Sequence, residues 1–290
     1  MASLKQKRDF GIARSGGLQH AEQFLGLRDI KDPSSNVIFV SIDLEVSRQE
    51  ISKPGVPLVK EFGIATLDTR HLRRLVSPFA TKSISTQQFS TSHASKDFFG
   101  CDFTDFKECV FAETLFVSQT DLSTTITKSL CIQDDSSPDS PALRNIVIVG
   151  HSTKSDLRIL QRLGVNVYKV APVLAILDTC LITRNLLGAN STTPMTNFKL
   201  GTLLTELKCP YEASDLHNAG NDATFTLHAM LMLAIKSSES REMDSVQREN
   251  FEHLRAVAQI ELYECQRWKP IRKSLGFYSQ GSSIERDSST

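Results

Sequence analysis

The sequence predicts an α/β fold built on a mixed sheet of about five strands, the first three antiparallel, with helices on both faces. Two apolar, β-branched runs, residues 37–46 (VIFVSIDLEV) and 145–149 (NIVIV), read as strands buried on both sides. Three strand candidates follow one another closely near the start of the chain. After about residue 145, strands alternate with helical segments, the pattern of a sheet covered by helices.

The elements fall in this order. Residues 1–35 are polar and read as a flexible arm with a short helix near 18–27, ending in the turn residues Asp32-Pro33-Ser34-Ser35. The first strand, 37–46, is followed by Lys53-Pro54-Gly55, a turn signal, and by strands at 58–67 and 84–89. Residues 90–120 are dense in phenylalanine (Phe98, Phe99, Phe103, Phe106, Phe111, Phe116) and carry no clear periodicity. A helix over 121–131, a loop over 133–141 and the strand at 145–149 come next. Further elements are a helix at 154–163, a strand at 173–177 and helices at 180–187, 198–208 and 221–235. A final helix over 243–268 carries the apolar stripe Phe251, Leu254, Ala258, Leu262, Cys265 and Trp268, which suits packing back on the domain. The expected organisation is an arm (1–35), one domain (36–237), a C-terminal helical extension (238–273) and a disordered tail (274–290) rich in Ser and Gly.

The chain has 290 residues, 40% hydrophobic and 23% charged, ordinary values for a globular protein with a packed core. Lys+Arg and Asp+Glu both number 33, so the formal net charge is zero. That balance argues against a protein that coats nucleic acid or anionic membrane by bulk electrostatics. An enzyme that grips a few nucleotides needs only local charge. The cysteines (Cys101, Cys109, Cys131, Cys180, Cys209, Cys265) form no CxxC pair, and the opening MASLKQKRDF is polar, so free thiols in a reducing compartment are expected. No apolar run reaches bilayer-spanning length. The expectation is a soluble intracellular protein, cytoplasmic or nuclear, without a membrane partner.

Three features carry chemistry. Asp43 and Glu45 lie two residues apart in an otherwise apolar strand, so both carboxylates project from one face. Like charges held together among apolar neighbours need compensation, which a divalent cation supplies; a solvated strand end or a salt bridge would also serve. Asp156, in GHSTKSDL, falls in the first turn of the helix after the 145–149 strand. There it faces the helix dipole as well as the acid pair, and Ser152 or Thr153 could cap the same helix. The third feature is HNAGND, in which His217 sits in a polar loop and Asp222 opens the next helix. Histidine titrates near neutrality and suits a general base.

The order of these elements resembles the DEDD superfamily of 3′–5′ exonucleases, which share the ribonuclease-H-like fold. HNAGND looks like the third motif of its histidine-bearing DEDDh subgroup. The segments SIDLE, EFGIATLDT, GHSTKSDL, ILDT and HNAGNDA look more narrowly like a fungal group of exonuclease-like proteins, which includes factors linked to mRNA export and RNA silencing. The resemblance covers about residues 36–236. It implies two Mg²⁺ or Mn²⁺ ions. Asp43 would bridge both, Glu45 and Asp222 would complete one site, and Asp156 would serve the other. His217 would be the general base, and the products would be nucleoside 5′-monophosphates. The substrate would be a single-stranded RNA or DNA 3′ end, with RNA favoured, and a protein partner in RNA silencing or mRNA export is implied. Candidate substrate contacts are Leu44, Val46, His151, Lys154 and Asn218. Val46 stands where the superfamily often has threonine, and Ser152 where it often has asparagine; both departures bear on substrate contacts and leave the ligands intact. The competing reading is an idle exonuclease-fold module that binds RNA or a partner protein. The complete ligand set favours the enzyme.

Overall fold

The computed structural model describes residues 17–28, 36–46, 54–72, 84–91, 109–135, 142–187, 199–256 and 258. Its frame is β1 (Ile38–Val46), whose alternating side chains serve two separate cores. Val37 and Phe39 face one layer, while Ile38, Val40, Ile42 and Leu44 face the other. β2 (Val59–Asp68) and β3 (Ile84–Thr91) continue from β1 as an antiparallel meander, as the closely spaced strand signals predict. β5 (Ile146–Gly150) lies parallel to β1, and β6 (Val173–Asp178) parallel to β5.

Among the described residues the sheet has six strands where about five are expected, in the order β4 (Thr114–Val117), β3, β2, β1, β5, β6. The additional strand, β4, pairs parallel with β3 at the outer edge. It is only four residues long, and Leu115 and Phe116 are 50% and 63% exposed, so it lacks the burial pattern that marks a strand in sequence.

Helices cover both faces, completing the ribonuclease-H-like arrangement. One layer holds α1 (Gly17–Phe24), α4 (Thr179–Leu187), α5 (Leu200–Glu206) and the central α6 (Ala219–Ser238), which is buried along nearly its whole length. The other holds α2 (Leu122–Leu130), through Leu122, Ile126 and Leu130, and α3 (Lys154–Arg162), through Ile159 and Leu160.

Residues 17–28 do not belong to a flexible arm. Ala21, Leu25 and Leu27 enter the core, and the fully buried Glu22 is tied to Arg28 and, at 3.0 Å, to Arg241 just beyond α6. Residues 245–256 are helical, and Phe251, Leu254 and Ala258 pack into the same layer, as the apolar stripe anticipates. Leu262, Cys265, Trp268, the tail 274–290 and the phenylalanines at 98, 99, 103 and 106 lie outside the described residues. Cys109, Cys131, Cys180 and Cys209 are free thiols. Among the described residues no helix is long and apolar enough to cross a membrane.

Candidate active site

β1 and β5 pair from Ile38 and Ile146 only as far as Ser41 and Val149, so the last residues of β1 run past the end of their pairing with β5. This is the edge where the parallel strands terminate, the usual position of a ligand crevice in α/β sheets. Asp43 and Glu45 project there on the α6 face of β1, and the first turn of α6 rests against them. Its close approach depends on Gly63, paired with Asp43 in the β1–β2 ladder. A Cβ on Gly63 would lie 1.9 Å from the Ala219 carbonyl oxygen, so only glycine lets the helix sit flush on the sheet.

The start of α6 is tightly organised. Asn218 is its N-cap, accepting the Asn221 N–H through Oδ1 at 3.0 Å. Asn221 accepts the Val110 N–H at 2.8 Å and donates to the Asp215 carbonyl at 2.9 Å. His217 adopts φ = +63°, a left-handed conformation that bulky residues rarely take. The turn lets its backbone N–H reach Asp222 Oδ2 at 3.0 Å while its side chain remains exposed. A ring nitrogen of His217 and carboxylate oxygens of Glu45 and Asp222 all lie within 4.8 Å of one another.

Asp156 arrives from the other side. It lies buried in the first turn of α3, where its carboxylate accepts its own backbone N–H and that of Leu44. Neither Ser152 nor Thr153 caps this helix through its side chain. Asp178, at the end of β6, organises the turn instead: its carboxylate accepts the N–H groups of Ser152 at 3.1 Å, Thr153 at 3.0 Å and Cys180 at 3.0 Å. Ser152 takes φ = +67° to make this possible.

Electrostatics show how close the acids are. Burial raises Asp43 well above the ordinary aspartate range, and the charges of Asp156, Asp222, Glu45 and Glu61 push it further. Burial likewise pushes Asp156 up to about 7, against the hydrogen bonds from its own and the Leu44 N–H, with Asp178 and Glu45 adding repulsion. Such crowding is unfavourable without a counter-charge. All-oxygen donors on rigid elements suit a hard divalent ion such as Mg²⁺ or Mn²⁺, so these residues fit the metal that the sequence implies.

The structure therefore brings together Asp43, Glu45, Asp156, Asp222 and His217. The candidate substrate contacts are more dispersed. Leu44 packs its side chain into the core on the opposite face and offers the site its backbone N–H. Asn218 is fully buried as a helix cap. Val46 is half-buried at the strand end, against the α2 and α3 layer. His151 Nδ1 is 2.9 Å from the Thr179 hydroxyl, and Lys154 is exposed at the start of α3. Arg70 is no free basic group: it clamps Asp68 at 2.7 Å, at the far end of the sheet. Sequence reasoning missed Asp178 and Glu61, although both stand in motif segments, ILDT and EFGIATLDT.

This fold and acid cluster are those expected of a nuclease-like hydrolase domain with a candidate metal site. The chain belongs to the DEDDh_C family, described as DNA polymerase III subunit epsilon-like, C-terminal domain, whose model matches residues 38–233. No curated protein matches the chain. Membership makes this a DEDDh exonuclease-like domain, in a family whose members use divalent metals and act on nucleic acid.

Proposed function

We propose that the chain is a 3′–5′ exonuclease that removes nucleoside 5′-monophosphates from single-stranded nucleic acid, RNA in preference to DNA, with two divalent ions. The observation that carries this is the convergence of Glu45, Asp222 and His217 within 4.8 Å beside Asp43, whose charge is in turn crowded by Asp156. Asp43, Glu45 and Asp222 would hold one ion, and Asp43 with Asp156 the other. Bound there, Mg²⁺ or Mn²⁺ supplies Lewis acidity for water activation and offsets negative charge on the phosphodiester.

The chain's own side chains do the rest. His217 accepts the proton of the attacking water at a ring nitrogen, its backbone being held by Asp222 while the ring stays open to solvent. Lys154 and Arg158, both exposed on α3 beside Asp156, contact substrate phosphate. In this reading His151 and Val46 are further substrate contacts, Leu44 acts through its backbone, and Asn218 acts through the helix it caps. The likeness of SIDLE, GHSTKSDL and HNAGNDA to the fungal exonuclease-like group supports RNA as substrate. It also supports a protein partner in mRNA export or RNA silencing, in the cytoplasm or nucleus.

The test is incubation of 5′-labelled RNA and DNA single strands with the full chain and Mg²⁺ or Mn²⁺. The expected result is a ladder shortened one nucleotide at a time, abolished by EDTA. Absence of any product with either metal on both substrates would overturn the enzyme and leave a binding module.

A further inference from the structure

We propose that Glu61 is a positioning residue: its carboxylate pins the first residue of α6 to β2, and so sets His217 and Asp222 against Asp43 and Glu45. This rests on the exonuclease reading of the same site. Glu61 Oε2 accepts the backbone N–H of Ala219 at 3.0 Å and Nε2 of Gln88, from β3, at 3.0 Å. Ala219 opens α6. The turn around it is stiff, because Asp222 N–H donates to the Asn218 carbonyl at 2.8 Å and His217 N–H to Asp222 Oδ2 at 3.0 Å. A shift of Ala219 therefore carries His217 and Asp222 with it.

The choice of glutamate argues for a function. Glu61 stands directly opposite Glu45 in the antiparallel ladder, a like-charge pair that weakens a sheet. For the sheet alone a short or apolar residue would serve better. What Glu61 gains is reach: its side chain is long enough for Oε2 to accept the otherwise unsatisfied Ala219 N–H of the first turn of α6 together with Gln88 Nε2. Gly63, two residues on, clears the path for the same helix. β2 thus fixes both the distance and the lateral position of α6 over the acid pair.

Position and charge separate in two substitutions. Glu61→Asp keeps the charge and withdraws the acceptor by one methylene. Glu61→Gln keeps the reach and removes the charge. Both are made in the full chain and read by Mn²⁺ binding, from the electron paramagnetic resonance of the free ion, and by kcat and KM on a 5′-labelled oligonucleotide. Supporting residues of metal sites are worth about 10–100-fold in affinity or activity. Glu61→Asp should lose at least about tenfold in Mn²⁺ affinity and in kcat at unchanged KM, and Glu61→Gln should stay within about threefold of the native chain. The reverse order, or two native-like variants, overturns the proposal. If Glu61→Asp does not fold, Gln88→Met decides, since it removes the donor that steadies the carboxylate and leaves its charge. A several-fold loss of Mn²⁺ affinity supports positioning, and unchanged affinity overturns it. A native chain that binds Mn²⁺ without cutting, with variants in the expected order, would end the catalytic reading and leave positioning intact.

Discussion

Gly63 and Ala219 meet backbone to backbone: a Cβ on Gly63 would stand 1.9 Å from the Ala219 carbonyl oxygen and 2.4 Å from the Gly220 nitrogen. Neither obstacle is a side chain that can rotate away, so α6 must lift if residue 63 grows. Gly63→Ala should lower the unfolding free energy by about 3 kcal/mol or more, the upper range for overpacking. Because α6 carries Asp222, the variant should also lose its stabilisation by Mn²⁺. Urea unfolding with and without the metal measures both. A native midpoint with a native metal response would show that the close approach is not needed.

His217 and Asp43 separate two roles on one substrate. Removing a general base costs about 10²–10⁴ in rate, so His217→Ala should fall in that range at little change in KM. Asp43→Asn should be inactive and should no longer respond to metal. His151→Ala should fall far less, because that ring is engaged with the Thr179 hydroxyl at 2.9 Å. Single-turnover cleavage at matched protein concentration distinguishes them. His217→Ala retaining a tenth or more of native activity would remove the general-base assignment.

The crowded acids make the metal-free protein sensitive to pH in a defined direction. Asp156, raised by burial to about 7 from 3.8, holds its proton in the folded state after the unfolded chain has released it. Its stabilising contribution is complete below about pH 4 and is lost as pH rises to about 7. Asp43, raised by the same burial and by its neighbours, acts in the same sense. In EDTA the melting temperature should therefore fall across this range, and Asp222→Asn should melt higher than the native chain near neutrality. Mg²⁺ should reverse the trend, since it binds the deprotonated acids. A flat metal-free profile would mean that the carboxylates do not share one site.

Much of this was legible in the sequence, and the omissions have physical causes. β1 announced itself because both faces are buried, and its two acids stood out against that background. His217 and Asp222 were visible as a polar loop running into a helix. β4 was hidden because it is an exposed edge strand whose partner, β3, is supplied by non-local pairing. Glu61 follows the exposed Lys60 and reads as an ordinary solvated strand residue. Its place opposite Glu45 depends on a register shift between Glu45 and Val46 and on the connection between the strands, neither of which periodicity encodes. Asp178 carries no sequence signal of its own, because its role toward Ser152 and Thr153 arises only when β6 is placed beside β5. Asn218 is the converse case: its neighbourhood suggested substrate, and its burial shows a cap.

The far end of β1 offers a control that touches stability and spares the site. Asp68 pairs with Ile38 in the ladder, five residues before Asp43 along the strand, roughly 17 Å away. Arg144, 3% exposed, grips both Asp68 oxygens, with Nη1 to Oδ2 at 2.8 Å and Nη2 to Oδ1 at 3.1 Å. Arg70 adds Nη2 to Oδ2 at 2.7 Å. Burial raises Asp68, but the hydrogen bonds of Arg70 and Arg144 outweigh it and hold the carboxyl at about 2. This stability is present above the ordinary aspartate value of 3.8 and is lost as pH falls toward about 2. Arg144→Met removes the more deeply buried of the two guanidinium partners of Asp68 and should cost about 3 kcal/mol at neutral pH, the low end for breaking a buried pair, because Arg70 still holds the carboxylate. The variant should also lose less further stability on acidification, because less of the Asp68 shift remains. Cleavage rate per folded molecule should stay at the native value. A fall in rate larger than the fall in folded fraction would show that the sheet transmits strain from this cluster to Asp43.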